Sequence, residues 1–88
     1  MKEKEQERLF KALGNSRRLS IIRLIRDKGA LTVGEIARKI KLSFKSTSRH
    51  LAVLYGVDIL EKKQIGLQVF YRLSKDLSQP VLSILSIV

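Results

Sequence analysis

The 88-residue chain contains no cysteine, which removes disulfides, thiolate metal sites and cysteine nucleophiles together and suits a reducing compartment. Histidine occurs once, as His50. Carboxylates are scarce, and none form a pair suited to acid–base work: Glu35 is accounted for as a helix cap, and Asp58 and Glu61 fall around the start of a hairpin. No catalytic residues are assigned, and the chain is not expected to be an enzyme. The most apolar stretch, Val81 to Val88, is far below the roughly 20 residues needed to cross a bilayer. The opening M-K-E-K-E-Q-E-R-L-F carries charges where a secretion signal would be apolar. No membrane association is expected, and the location expected is cytoplasmic. Internal repeats, low-complexity tracts and long linkers are missing too, so residues 1–88 are read as one domain.

What is present is positive charge. Eighteen Lys and Arg oppose eight Asp and Glu, giving a net charge of +10. Such a surface fits nucleic acid, an anionic membrane or an acidic protein, and charge alone does not choose among them. A domain this small buries only about 60–68% of the surface its unfolded chain exposes, so apolar surface contributed by a second copy would add stability.

Periodicity and punctuation give the elements. Glu3 to Leu13 reads as a helix with Glu3, Glu5 and Glu7 at its positive end and Leu9, Phe10 and Leu13 as an apolar patch, stopped by Gly14. Asn15 or Ser16 caps a second helix in which Leu19, Ile22 and Ile25 recur before Lys28-Gly29. After a short extended link at Ala30-Leu31, Thr32-Val33-Gly34-Glu35 fits a capping box. The helix that follows, to about Ile40, turns Val33, Ile36, Ala37 and Ile40 inward. Lys41-Leu42 makes a tight turn and Ser43 caps a fourth helix, a helix-turn-helix pattern. Ile59 to Gln64 and Leu67 to Leu73 pair as strands around Ile65-Gly66, with Val69, Tyr71 and Leu73 on the apolar face. Pro80 opens a last helix to Val88. The fold class expected is mainly α with a small β-hairpin, a winged helix-turn-helix in the order α-α-(β)-α-α-β-β-α.

The fourth helix, residues 43–55, carries the candidate chemistry. Thr47, Leu51 and Leu54 gather on one side, while Lys45, Ser46, Arg49, Ala52 and Val53 point away from it. The polar side has no acid, so no salt bridge within the helix accounts for its cations. Lys45 even stands in the first turn, where the helix dipole disfavours a cation. A DNA phosphate or guanine edge would compensate. Arg49 has the fork for a bidentate guanine contact, and Ser46 and Ser48 can donate to phosphates or bases. His50, on the flank, is either a packing or a phosphate-facing residue. Phe44 could close the core or touch a thymine methyl, and the core is favoured. In the hairpin, residues 59–73, Lys62, Lys63, Gln64 and Arg72 suit phosphate or minor-groove contact, although Lys62 and Lys63 point to opposite faces, so one of the two is expected to reach DNA.

From Leu9 to Leu73 the chain resembles the ArsR-type winged-helix transcription repressors. L-F-K-A-L-G-N-S-R-R-L-S-I-I-R-L-I looks like their opening helix pair, L-T-V-G-E-I-A-R-K-I like the support helix, L-S-F-K-S-T-S-R-H-L-A-V-L like the recognition helix, and G-L-Q-V-F-Y-R-L like the returning strand of the wing. The resemblance implies a homodimer that packs its first and last helices against their mates, here through Leu9, Phe10, Leu13, Val81, Leu82, Leu85 and Val88. It also implies double-stranded DNA as partner. The sequence departs from the family where Phe44-Lys45 replaces a polar Gln-Ser pair, and in lacking the Cys or Asp/His/Glu ligands of metal-sensing members. Neither a metal nor another cofactor is expected. The function this predicts is a sequence-specific transcriptional regulator, a repressor. The rival expectations are a non-specific nucleic-acid or chromatin-architectural protein and a protein-interaction adaptor.

Overall fold

The computed structural model describes residues 2–88, folded as five helices and a three-stranded antiparallel sheet. Helices α1 (Glu3–Leu13) and α2 (Ser16–Lys28) are followed by strand β1 (Leu31–Thr32), helices α3 (Val33–Ile40) and α4 (Phe44–Gly56), strands β2 (Leu60–Ile65) and β3 (Gln68–Leu73), and helix α5 (Gln79–Ser86). The starts of α2, α3 and α4 fall where the capping residues place them. Asn15 accepts from the Arg18 backbone N–H and Ser43 from that of Ser46. Thr32 and Glu35 exchange both bonds of the capping box, at 3.2 and 3.0 Å. The Thr32 backbone N–H, then the Thr32 side chain, hold the Glu35 carboxyl below its usual range, with Arg38 adding to the effect.

One hydrophobic cluster joins all five helices to the base of the hairpin, with Ile21, Ile22, Ile25, Ile36, Leu51, Leu54, Ile59 and Leu60 sealed at its centre. Ile59 ties α4 to the sheet, its N–H donating to the Leu54 carbonyl and its own carbonyl accepting from Ser74. Thr47 is the one buried polar residue among those described, and its hydroxyl has no hydrogen-bond partner.

One expected element takes its exact bounds and two local readings are corrected. The link at Ala30-Leu31 extends into a strand at Leu31–Thr32, because Leu31 and Thr32 pair with Tyr71 and Phe70 of β3, giving the sheet order β1-β3-β2. The hairpin turn is Gly66-Leu67 rather than Ile65-Gly66: Ile65 pairs with Gln68, and Gly66 at φ +63° takes the first turn position, where a positive φ is needed. Phe44 does not close the core. It is 63% exposed, because the first residue of α4 overhangs the groove between that helix and the hairpin.

Candidate nucleic-acid interface

Helix α4 is anchored by its apolar side and free on the other. Thr47, Leu51 and Leu54 are buried; Lys45, Arg49, Ala52 and Val53 are exposed, and Ser46 and Ser48 are half-buried. With about 100° between successive residues, Lys45 and Arg49 stand one turn apart on the open face. Neither takes part in an ion pair with a carboxylate among the described residues. The two ends of the helix differ in charge. Lys41 and Lys45 lie at its start, whereas Glu5, Asp58 and Asp76, together with Arg8, which donates to the Gly56 carbonyl at 3.4 Å, line a cavity at its end.

His50 faces α2 rather than open solvent. Its Nδ1 lies 3.2 Å from Nη1 of Arg18, whose Nε and Nη2 donate to the carbonyls of Ala12 and Lys11 at 2.6 and 2.9 Å. Burial, then the charges of Arg18 and Arg17, hold the imidazole below the ordinary histidine range. Nothing in the separate sequence segments signals this meeting of residues 32 positions apart.

The hairpin stands beside α4. Cross-strand pairing puts Lys62, Gln64, Val69 and Tyr71 on one face and Glu61, Lys63, Phe70 and Arg72 on the other. Lys62 lies on the α4 side, its ammonium 4.5 Å from the centre of the Tyr55 ring. Arg72 is engaged across the strands by the Glu61 carboxylate, so its charge is locally matched. The tip carries no charge from Gln64 to Phe70; Leu67 is fully exposed, and the Gln64 amide donates to the Gly66 carbonyl.

The residues read as a dimer surface divide. Leu9, Leu13, Val81 and Leu85 are buried in the protein's own core, where α1 and α5 use them. Phe10 and Leu82 remain exposed, as does Ile87 just after α5, and Val88 is half-buried. Arg26 donates to the Leu85 and Val88 carbonyls, both at 3.0 Å, and so holds the last turn of α5 to α2.

Among the described residues no helix is long and apolar enough to cross a membrane, and no three His, Cys, Asp or Glu side chains are placed to hold a metal ion. A helix-turn-helix whose second helix has an open cationic face, flanked by a β-hairpin, defines a winged helix-turn-helix protein. Comparison narrows the class. Residues 15–62 match the bacterial regulatory protein, arsR family, and the chain belongs to that family of transcription regulators. It is 38% identical over 66 residues to the transcriptional activator HlyU of Vibrio cholerae serotype O1, covering 75% of this chain and 60% of the relative. Identity to the arsenical resistance operon repressor of Escherichia coli is also 38% over 66 residues, covering 75% and 56%. The chain thus spans less than two thirds of the length of either relative. The solved structure of HlyU from Vibrio cholerae superposes with a TM-score of 0.81 at 31% identity, covering 99% of this chain and 92% of that one. The homodimeric winged helix-turn-helix DNA-binding domain of Mb0332 from Mycobacterium bovis also gives 0.81, at 26% identity and coverages of 96% and 74%.

Proposed function

We propose that this protein is a homodimeric, sequence-specific DNA-binding transcriptional regulator of the cytoplasm, acting as a repressor, in which residues 1–88 form one domain with dimerising terminal helices. Each subunit places α4 in a major groove and its hairpin against phosphates or the adjacent minor groove. The observation that carries this reading is the open face of α4: Lys45 and Arg49 one turn apart, with no carboxylate among the described residues paired to them, on a helix whose other side is fixed in the core. The charge difference along the helix favours entry by its basic N-terminal half, since the acidic end would meet phosphate with repulsion.

Lys45, Ser46, Ser48 and Arg49 are the base and phosphate contacts of the helix. Lys62, Lys63 and Gln64 serve the hairpin, with Arg72 available only when Glu61 releases it. A twofold dimer requires half-sites about 34–36 Å apart or a multiple of that turn. The uncovered Phe10 and Leu82 support an isologous interface built from α1 and α5. As to sign, the Escherichia coli relative bears a repressor's name and the Vibrio cholerae relative an activator's. A reporter placed downstream of the selected site should lose transcription when the protein is present.

The reading is tested by selecting duplexes from a randomised pool with the wild type and with Arg49→Ala. The variant should retain binding at low salt and lose base preference at one position of each half-site, a loss of about 1–3 kcal/mol of discrimination. Identical selected sequences from both proteins would remove α4 from the reading role.

A further inference from the structure

We propose that Arg18 is a positioning residue for DNA binding: through the unprotonated Nδ1 of His50 it locks the recognition helix α4 to the C-terminal end of α1, and acid opens that lock. The proposal rests on the reading of α4 as the DNA-contacting helix.

The geometry is a three-way junction. The last carbonyls of a helix have no partner within it. Arg18 takes those of Lys11 and Ala12 with two arms of its guanidinium and turns the third to His50. Guanidinium can only donate, so Nδ1 must accept and the ring must carry its hydrogen on Nε2. The planar fork serves three acceptors in fixed directions, which a lysine ammonium on its flexible stem would not reproduce. His50 directly follows Arg49, so a small rotation of α4 about this anchor displaces the guanidinium proposed to meet a base.

Protonation would break the junction on two counts. An imidazolium has no acceptor for Arg18, and it would set two cations against each other at the 3.2 Å the neutral pair occupies. The charged groups acting on His50 from α2 are Arg18 and Arg17, and no carboxylate among the described residues offsets them. From α1 come only the carbonyls held by Arg18, since the Lys11 ammonium is engaged by Glu7 at 2.9 Å. On α4 itself the neighbouring charge is Arg49, about 100° away around the helix. The ring is therefore neutral while the lock is closed, and the folded protein binds its proton less readily than the unfolded chain. Stability from the lock is full above the ordinary histidine range. It declines as the pH falls below the unfolded value, until the folded group itself is protonated. A histidine facing phosphate would act in the opposite sense, drawing DNA in as it gained charge.

His50 is the only histidine, so its titration is read without overlap. Affinity for a duplex selected from the random pool is measured at constant ionic strength for the wild type and for His50→Gln, whose amide oxygen can accept from Arg18 but does not titrate. Between about pH 7.5 and about pH 5.5 the wild type should lose about two- to fivefold in affinity, because a histidine that binds its proton tenfold less readily in the complex shows the full factor only in stronger acid. His50→Gln should stay level. In the free wild type, imidazole nitrogen shifts should report the Nε2–H form near neutrality, and the Lys11 and Ala12 carbonyl shifts should move with the ring's titration. Tighter wild-type binding in acid, a flat wild-type profile, equal acid loss in both proteins, or a proton on Nδ1 would overturn the proposal. A wild type that binds no duplex at either pH would overturn the DNA reading instead. The ring and carbonyl shifts would then still decide whether the lock exists.

Discussion

Helices α4 and α5 both lay an apolar side on the same core, yet their outward sides are opposite in character. α4 buries Thr47, Leu51 and Leu54, is capped by Ser43, and shows Lys45 and Arg49 outward. α5 buries only Val81 and Leu85, has no side-chain cap, and leaves Leu82 and Ile87 at 46% and 85% exposure. One outward surface is cationic and the other is greasy. Unmatched charge suits a polyanion, whereas apolar surface suits apolar surface, so the two helices offer surfaces of opposite chemistry from one core.

The largest effect that would sharpen this contrast comes from the shared interior. Leu54→Ala should cost about 2–5 kcal/mol of folding stability, because it removes a fully buried side chain at the junction of α4 with the sheet. Denaturant titration measures it, and a loss within experimental scatter would mean that α4 is not anchored as described. Leu82→Asp should leave the helical circular dichroism of the monomer intact while abolishing dimers in sedimentation. Affinity for the selected two-half-site duplex should fall with them, and an unchanged dimer would put the interface elsewhere. The smallest effect is a gain: Thr47→Val replaces an unpartnered buried hydroxyl by a methyl group. It should stabilise the fold by about 1 kcal/mol, or about 4–8 °C in Tm for a domain of this size. A fall in Tm would show that the hydroxyl has a partner.

Much of α4 was legible from sequence because short-range rules govern it: Ser43 marks its start, and the positions of Thr47, Leu51 and Leu54 define one side. The same holds for α3, whose capping box is spelled within four residues. What was not legible depends on distant parts of the chain. The short strand before α3 stood in the expected element order, but its bounds, Leu31–Thr32, come from pairing with Tyr71 and Phe70, since two residues have no periodicity to read. The turn slipped by one residue because Gly66 fits either central position until the pairing of Ile65 with Gln68 decides. For α1 and α5, apolar patterning identified the sticky residues but could not apportion them. Leu9, Leu13, Val81 and Leu85 go to the internal core, and Phe10 and Leu82 are left over. Arg18 and His50 each have an unremarkable local setting, and their junction exists only in three dimensions.

The acidic corner formed by Glu5, Asp58 and Asp76 has a consequence for the approach to DNA rather than for the docked complex. In a protein of net charge +10, three acids with one arginine beyond one end of α4 and lysines at the other make the charge along that helix uneven. A polyanion exerts a torque on such a body before any contact is made, swinging the lysine-rich end of α4 toward it. Under the proposed docking through α4, part of the orientational search is then completed during diffusion, and a larger share of collisions arrives with that face forward.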